Sequence, residues 1–348
     1  MKIKIPLTKS FIIAEAGSNW KVGKYEEDLE MAKKMIITAA KSGADAIKFQ
    51  TFRSESVYAK NAGISNYLSK QGIDENIEEI FDNLAMPYEM IPELVKICKN
   101  ENIHFMSTPF SVEDAKKIDP YVEIHKLASF EINHTRLLEF LASTKKPILI
   151  STGASTIEEI DFAINLCKKA KNDNIILLQC TSKYPSPLSS INLSVIKTLR
   201  EKYKVPVGFS DHSEDPIIAP ILSIGFGSAV IEKHFTLNKK LPGPDHSYAL
   251  EPNELQKMIK TIRMTEKAIG KGEKVVLEIE NELQRFAKRS LQAISDIKEG
   301  DILKEGINFE VLRPGNNIRG LEARFLEKCN GRKATKDIKV GEGICGYE

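Results

Sequence analysis

The sequence predicts an α/β protein: an eight-stranded parallel (β/α)8 barrel of the TIM type, followed by a small β-rich module. Three observations predict it. Short apolar runs alternate with amphipathic runs eight times before Gly270. Polar, chemistry-bearing residues collect at the ends of those apolar runs and are scarce at their starts. Beyond Ser290 the helical periodicity gives way to short strands and turns. A doubly wound open sheet is the alternative, but it rarely counts to eight this cleanly.

The eight candidate strands are FIIAEAG (11–17), DAIKFQTF (45–52), HFMSTPFS (104–111), EIHKLASFE (123–131), PILISTG (147–153), IILLQCTSKYP (175–185), VPVGFSDHS (205–213) and AVIEKHFT (229–236). They begin as near-continuous apolar stretches, the pattern of strands covered on both faces. Amphipathic runs such as EEDLEMAKKMIITAAKSGA and TIEEIDFAINLCKKA separate them, and NELQKMIKTIRMTEKAIG supplies an eighth helix after the last strand. One connection is long. From Arg53 to about Met86 the chain reads RSESVYAKNAGISNYLSKQGIDENIEEIFDNLAM, and an insertion of that length on the loop side of a barrel reads as a lid or substrate wall. The expected boundaries are a catalytic barrel over 1–272, a charged linker with a helix over 273–289, and a β-rich module over 290–348. Within the module, SDIKEGD and KDIKVGEG look like an internal echo. About sixty residues make a marginal core, so the module should dock onto something.

Composition excludes several classes of function. Lys+Arg at 50 against Asp+Glu at 48 leaves a net charge of +2 with no dense basic stripe, so nucleic acid is not an expected partner. No apolar run is long enough for a bilayer, and the N-terminus lacks a signal-peptide pattern. Five scattered cysteines without a CxxC suggest reduced thiols and a cytoplasmic protein.

In a barrel of this type the reactive groups sit where strands end. Those ends offer Glu15, Lys48, Gln50, Ser107, Thr108, Lys126, Ser129, Glu131, Ser151, Thr152, Ser182, Tyr184, Ser210, His212, Glu232 and His234; the loop after strand eight adds Asp245. Residues two apart on a strand share a face, so His212 and His234 can both point inward from adjacent strands, with Asp211 and Glu232 nearby to orient them or hold a ligated water. A lone barrel histidine is more often hydrogen-bonded into the core, but the segregated polar ends favour a divalent-ion site, Mn2+ or Mg2+ by donor type. Lys48 and Lys126, flanked by apolar residues and joined by Ser107, Ser151, Ser210 and the amide of Gly153, read as a phosphate or carboxylate cradle. The alternative is lysines that snorkel to solvent. Glu15, Glu131 and Asp245 are candidates for proton transfer or for holding sugar hydroxyls, and each could instead be a salt-bridge partner.

The motifs FIIAEAGSN, KFQTF, STPFS, KLASFE, ISTGAS, CTSKYPSP, GFSDHS, IEKHFT and LPGPDHSYALEP, in this order, resemble the sialic acid synthase family, and the resemblance spans essentially the whole chain. VLRPGNN resembles its C-terminal antifreeze-like (SAF) domain, of the β-clip kind. The resemblance implies a transferase that condenses phosphoenolpyruvate with an N-acylated mannosamine-type sugar to a nine-carbon 2-keto acid, N-acetylneuraminate or a close relative, with loss of phosphate by C–O cleavage. It implies His212 and His234 as ligands of a divalent metal, Mn2+ first, with Mg2+ or Co2+ as alternatives. Lys48, Thr108, Lys126, Ser151 and Ser210 would surround phosphoenolpyruvate. Glu15, Gln50, Tyr184 and Asp245 would meet the sugar, and Glu131 would be the acid/base near the reacting carbons. Arg313 would reach the N-acyl group from the other subunit of a domain-swapped homodimer. Two departures stand out: Trp20 occupies a position where many relatives carry histidine, and Ser182 one where some carry asparagine. The PGPDH form points away from pseudaminic acid synthesis and leaves N-acetylmannosamine and the 2,4-diacetamido-2,4,6-trideoxymannose of legionaminic acid synthesis open, with a 6-phosphorylated sugar a further alternative. A Schiff-base aldolase using Lys126 or Lys48, or a non-catalytic carbohydrate-binding barrel, would be the rivals.

Overall fold

The computed structural model describes residues 9–65, 69, 73–270 and 272–348. The chain forms two compact units, Met1–Gly270 and Lys271–Glu348.

The first unit is built on eight parallel strands: β1 (Phe11–Gly17), β2 (Ala46–Thr51), β3 (His104–Pro109), β4 (His125–Leu127), β5 (Ile148–Ser151), β6 (Ile175–Cys180), β7 (Val207–Asp211) and β8 (Val230–His234). Their order in the sheet is β3-β2-β1-β8-β7-β6-β5-β4, and the two terminal strands, β3 and β4, pack against each other. Pairing of β8 with β1 curls the sheet into a barrel. Alternation along each strand sorts its residues. Phe11, Ile13, Ala46, Met106, Leu149 and Ile176 belong to one buried cluster, the apolar floor of the barrel. Their neighbours Ile12, Ala14, Ile47 and Phe49 belong to a second, which includes Met35 and Ile36 of a flanking helix (Tyr25–Ser42) and Met258 and Ile262 of another (Pro252–Ile269). At about 1.5–3 kcal/mol for each fully buried large side chain, these two layers are the main force closing the barrel.

The helices start and stop where their sequences allow. The helix Ile157–Lys169 opens with a capping box in which Thr156 accepts from the Glu159 amide and Glu159 accepts from the Thr156 amide. The helix Tyr25–Ser42 ends at Gly43, whose φ of 90° suits a residue without a side chain. Several strands end earlier than their apolar pattern suggests. The run 123–131 contributes only three strand residues before a 3-10 turn over Ser129–Glu131, and residues 181–185 are loop. Leaving the sheet towards a helix needs polar backbone turns, which hydrophobicity does not reveal.

Among its described residues the insertion after β2 holds the short helices Ser54–Val57 and Ile77–Leu84. The Phe52 and Tyr58 rings pack on Phe81 at 4.7 and 4.9 Å, so its described part folds onto the end of β2. Residues 66–68 and 70–72 of the insertion lie outside the described residues.

The second unit begins with a helix (Asn281–Ala287) and an antiparallel pair, β9 (Ser290–Ala293) with β10 (Phe309–Leu312). The two echoed turns pair with each other. Ile297 and Ile338 exchange backbone bonds of 2.9 and 2.8 Å. Lys298 meets Asp337 at 2.6 Å, and Lys339 meets Asp296 at 2.8 Å. Each aspartate also accepts a backbone N–H of the opposite turn, Asp337 from Glu299 and Asp296 from Val340.

Candidate active site

Register alone brings one row of the site together. In the ladder Glu15 lies opposite Lys48 on one side and opposite His234 on the other, and Ser210 lies opposite Glu232. Lys48 Nζ lies 2.5 Å from Glu15 Oε2 and donates to Thr108 Oγ1 at 2.8 Å. Gln50 Nε2 donates to Glu15 Oε1 at 3.2 Å. Glu232 sits between the two lysines, its Oε2 3.8 Å from Lys48 Nζ and its Oε1 3.7 Å from Lys126 Nζ, and Ser210 donates to Oε1 at 3.0 Å. Lys48, Lys126, Glu15 and Glu232 are each 5% exposed or less, so this is a buried network of two cations and two anions.

Burial and charge set their protonation. Burial opposes the charge on Glu232, but the ammonium groups of Lys126 and Lys48 overcome it and hold the carboxyl well below its usual range. Glu15 goes the other way: burial raises it against the pull of Lys48, and the Glu232 charge raises it further. Lys48 is opposed by burial yet raised by Glu15 and Glu232, so it stays an ammonium. Lys126 is lowered by burial.

The two histidines share the same mouth, their ring centroids 5.5 Å apart. His212 Nδ1 lies 2.8 Å from the Thr181 carbonyl oxygen, which can only accept, so Nδ1 carries the proton and Nε2 keeps a free lone pair. His234 Nδ1 is buried without a hydrogen-bond partner and stands 3.9 Å from Asp245 Oδ2. Burial lowers His212 to about 4 and His234 to about 3, so both rings are neutral donors at physiological pH. Among the described residues no group of three or more His, Cys, Asp or Glu forms a metal-binding set. What the mouth offers a divalent ion is two neutral imidazoles, 5.5 Å apart by ring centroid.

Asp245 accepts from the Tyr248 hydroxyl at 2.6 Å, and burial raises its carboxyl. It comes so close to Gly17 that a Cβ there would lie 3.0 Å from Asp245 Oδ2. Tyr184 places its ring 4.1 Å from His212 and 6.0 Å from His234, centroid to centroid. Ser151 is buried in the mouth, and its Oγ has no hydrogen-bond partner. Ser129 Oγ accepts from the Gly153 amide at 3.0 Å, and a Cβ on Gly153 would strike Ser182 Oγ. Thr152 Oγ1 bonds back to the Leu178 carbonyl. Glu131, on the turn after β4, is raised to about 6 by burial. Tyr58 of the insertion is raised first by burial and then by the Glu131 charge.

Three sequence readings need correction. Ser107 is not in the cradle: its Oγ bonds Thr51 Oγ1 at 2.7 Å on the outer face of the sheet, the odd-numbered side of β3. Asp211 does not orient a histidine; it also faces outward, where it pairs with Lys233 at 2.6 Å. Glu232 does not orient one either, because it is engaged by the two lysines and Ser210, and the Thr181 carbonyl orients His212 instead. Trp20 is packed in the barrel's outer core at 1% exposed. Arg313 is an exposed residue of the second unit, just past β10. The sequence reading missed Tyr248 and the bridging role of Glu232. The i, i+2 spacing of Glu232 and His234 signals only that Glu232 faces inward, not that it meets Lys48 and Lys126.

This fold and this mouth define a class, a (β/α)8 barrel whose mouth holds a buried lysine–carboxylate network beside two histidines. The sequence matches the NeuB family over residues 35–274, and the chain belongs to that family. It is 39% identical to the N,N'-diacetyllegionaminic acid synthase of Campylobacter jejuni, over 97% of this chain and 99% of the relative. It is 37% identical to the pseudaminic acid synthase of the same organism, over 97% and 95%. Among solved structures it resembles an N-acetylneuraminic acid (sialic acid) synthetase of Leptospira borgpetersenii in complex with citrate. That match has a TM-score of 0.70 at 34% identity, over 79% of this chain and 90% of the other.

Proposed function

We propose that this protein condenses phosphoenolpyruvate with the open-chain aldehyde of an N-acylated mannosamine-type sugar, giving a nine-carbon 2-keto acid and phosphate. The observation that carries this reading is the buried Glu15–Lys48–Glu232–Lys126 network beside the neutral His212/His234 pair. Relatives named as legionaminic and pseudaminic acid synthases support the substrate class.

Lys48 and Lys126, with Thr108, Ser151 and Ser210, hold the phosphate and carboxylate of phosphoenolpyruvate, and Glu232 holds the two ammonium groups apart for it. Ser151 Oγ, buried without a partner, is a donor kept free for that ligand. Gln50, Tyr184 and Asp245 line the side where the sugar lies. Carbon 3 of phosphoenolpyruvate bonds to the aldehyde carbon, water adds at carbon 2, and the C–O bond to phosphate breaks. One proton of the water ends on the new hydroxyl and the other leaves with the phosphate. Glu131, titrating near 6, takes the water's proton. Glu15, raised by burial, is suited to carry one to the sugar oxygen. A divalent ion held by His212 and His234 would supply Lewis-acid polarisation of oxygen. Arg313 would meet the N-acyl group of the sugar in a partner subunit, where a planar fork of donors suits an amide carbonyl.

The test is a mass-spectrometric assay in H2(18)O with phosphoenolpyruvate and a panel of three sugars: N-acetylmannosamine, its 6-phosphate and 2,4-diacetamido-2,4,6-trideoxymannose. The label should enter the keto acid and stay out of the phosphate. Label in the phosphate, or a borohydride-trapped lysine adduct with pyruvate, would sink the reading.

A further inference from the structure

We propose that Lys233 and Asp211, which lie outside the barrel, are positioning residues that lock His212 to the strand carrying His234 and so fix the spacing of the two imidazoles. The proposal rests on the reading of these histidines as metal ligands. Both residues are 1% exposed and are direct partners in the β7–β8 ladder. Alternation turns them outward while the residue after each, His212 and His234, turns inward. Lys233 Nζ donates to Asp211 Oδ2 at 2.6 Å, to the Ser213 carbonyl, to Ser213 Oγ at 3.2 Å and to the Asp215 carbonyl at 3.3 Å. Asp211 Oδ1 in turn accepts the Ser213 amide at 2.8 Å. The chain is thus tied down at 211, 213 and 215, on both sides of His212, by one side chain adjacent to His234. Asp215 also accepts the amides of Ile217 and Ile218, which carries the tie into the next helix (Ile218–Gly225).

The other histidine is held independently. The Phe235 amide donates to the Glu15 carbonyl at 2.7 Å, and the Leu250 amide donates to the His234 carbonyl at 2.8 Å. His212 lies one residue past the end of β7, and its other ties, the Ser186 amide on its carbonyl at 2.9 Å and the Thr181 carbonyl at its ring, come from the loop after β6. The clamp adds the tie to β8, the strand that carries His234. A buried ion pair is a poor way to glue two strands, since a well-packed apolar pair does as well or better. An apolar pair, however, cannot bind the carbonyls beyond the strand end. A lysine ammonium, a compact charge with three donors, can.

Two variants test this in the full-length, metal-free protein. Lys233→Met/Asp211→Leu removes the clamp without leaving a buried charge unpaired, and Asp211→Asn weakens it while keeping its shape. Free Mn2+ is titrated by electron paramagnetic resonance, alongside thermal unfolding and phosphoenolpyruvate binding, with His212→Ala as a control. The double variant should unfold cooperatively, bind phosphoenolpyruvate as the wild type does, and bind Mn2+ about 10-fold or more weakly, the usual loss for residues that orient metal ligands. If it folds and binds Mn2+ with wild-type affinity, the clamp is structural only and the proposal is overturned. Should the double variant fail to fold, Asp211→Asn decides by the same measurement: weakened Mn2+ binding supports the clamp, unchanged binding overturns it. If His212→Ala itself binds Mn2+ normally, the ligand reading fails and takes the clamp with it, a result distinct from failure of the clamp alone.

Discussion

Lysines and carboxylates meet in two parts of this molecule under opposite conditions. At the barrel mouth Lys48, Lys126, Glu15 and Glu232 are buried together. In the second unit Lys298–Asp337 and Lys339–Asp296 are pairs of equally good distance whose side chains are more than half exposed. The exposed pairs are related by the sequence echo, and each aspartate also accepts a backbone N–H, so their job is to shape two facing turns. The buried set has no such symmetry. Its two carboxyls are driven in opposite directions: burial raises Glu15 against the pull of Lys48, while Lys126 and Lys48 hold Glu232 down. The lesson is that a salt bridge says little until its surroundings are known.

The largest effect expected from this contrast is at Lys48. Lys48→Met leaves Glu15 and Glu232 facing each other without their shared cation, and removes a donor from the proposed anion cradle. It should lower kcat/KM by about 10^2–10^3-fold, the scale for losing one preorganised charge-stabilising donor. Steady-state phosphate release measures it. A variant within a few-fold of wild type would put the mouth network in the same structural category as the exposed pairs.

Next comes Glu131, raised to about 6. Its folded value lies above its unfolded one, so the folded state binds the extra proton between about 4.5 and 6, and stability is lost as pH rises through that window. Above it, ionised Glu131 is a standing cost. Glu131→Gln should remove that cost, so it should be more stable than wild type at pH 7.5, by roughly 1–2 kcal/mol, and equal to it at pH 4.5. The same variant should lose the rising limb near pH 6 from its kcat/KM profile. Parallel denaturant titrations at the two pH values decide: a variant less stable at both would mean that Glu131 is a structural acid.

Arg313 should give a smaller and more selective effect. Arg313→Ala should raise KM for the amino sugar strongly and KM for phosphoenolpyruvate little. Mixing it with Glu131→Gln sharpens the point. If the arginine serves the partner's barrel, a heterodimer has one doubly defective site and one intact site, and up to about half of wild-type activity returns. An inactive mixture would mean that the arginine acts in its own chain.

The same comparison shows how much was legible in the sequence. The barrel could be read because its period-two alternation continues from the apolar floor into the mouth: Ile13 to Glu15, Ala46 to Lys48, Val230 to Glu232. Parity placed Lys48, Gln50, Ser210, His212, Glu232 and His234 on the inner face, and the structure agrees. Ser107 and Asp211 were misread because they were judged by residue type and proximity while their own parity puts them outside. Glu232 was misassigned because alternation says which face a residue takes and not which neighbour across the barrel it meets. In the second unit the echo was visible, but not that Ile297 and Ile338 pair with each other, since that depends on a long-range fold-back with no local signal.

The smallest effects should come from the exposed pairs, and their pattern is the sharper test. Lys298 and Lys339 each contribute one end of a solvent-exposed ion pair, which water and salt largely screen. Lys298→Ala and Lys339→Ala should therefore leave Tm unchanged within error at physiological ionic strength. The aspartates have a second task. Asp337 accepts the Glu299 amide at 3.0 Å and Asp296 the Val340 amide at 2.9 Å, so removing either carboxylate frees a turn that its lysine variant leaves tied. Asp296→Ala and Asp337→Ala should each lower Tm measurably, and by the same amount, because the two turns repeat the same contacts. Differential scanning calorimetry of the four variants at 0.15 M and 1 M NaCl separates the contributions. The aspartate losses should survive high salt, since they come from hydrogen bonds to backbone. If the lysine variants lose as much as the aspartate variants, or if one aspartate matters and the other does not, the pairs are not the symmetric turn-shaping devices that the echo implies.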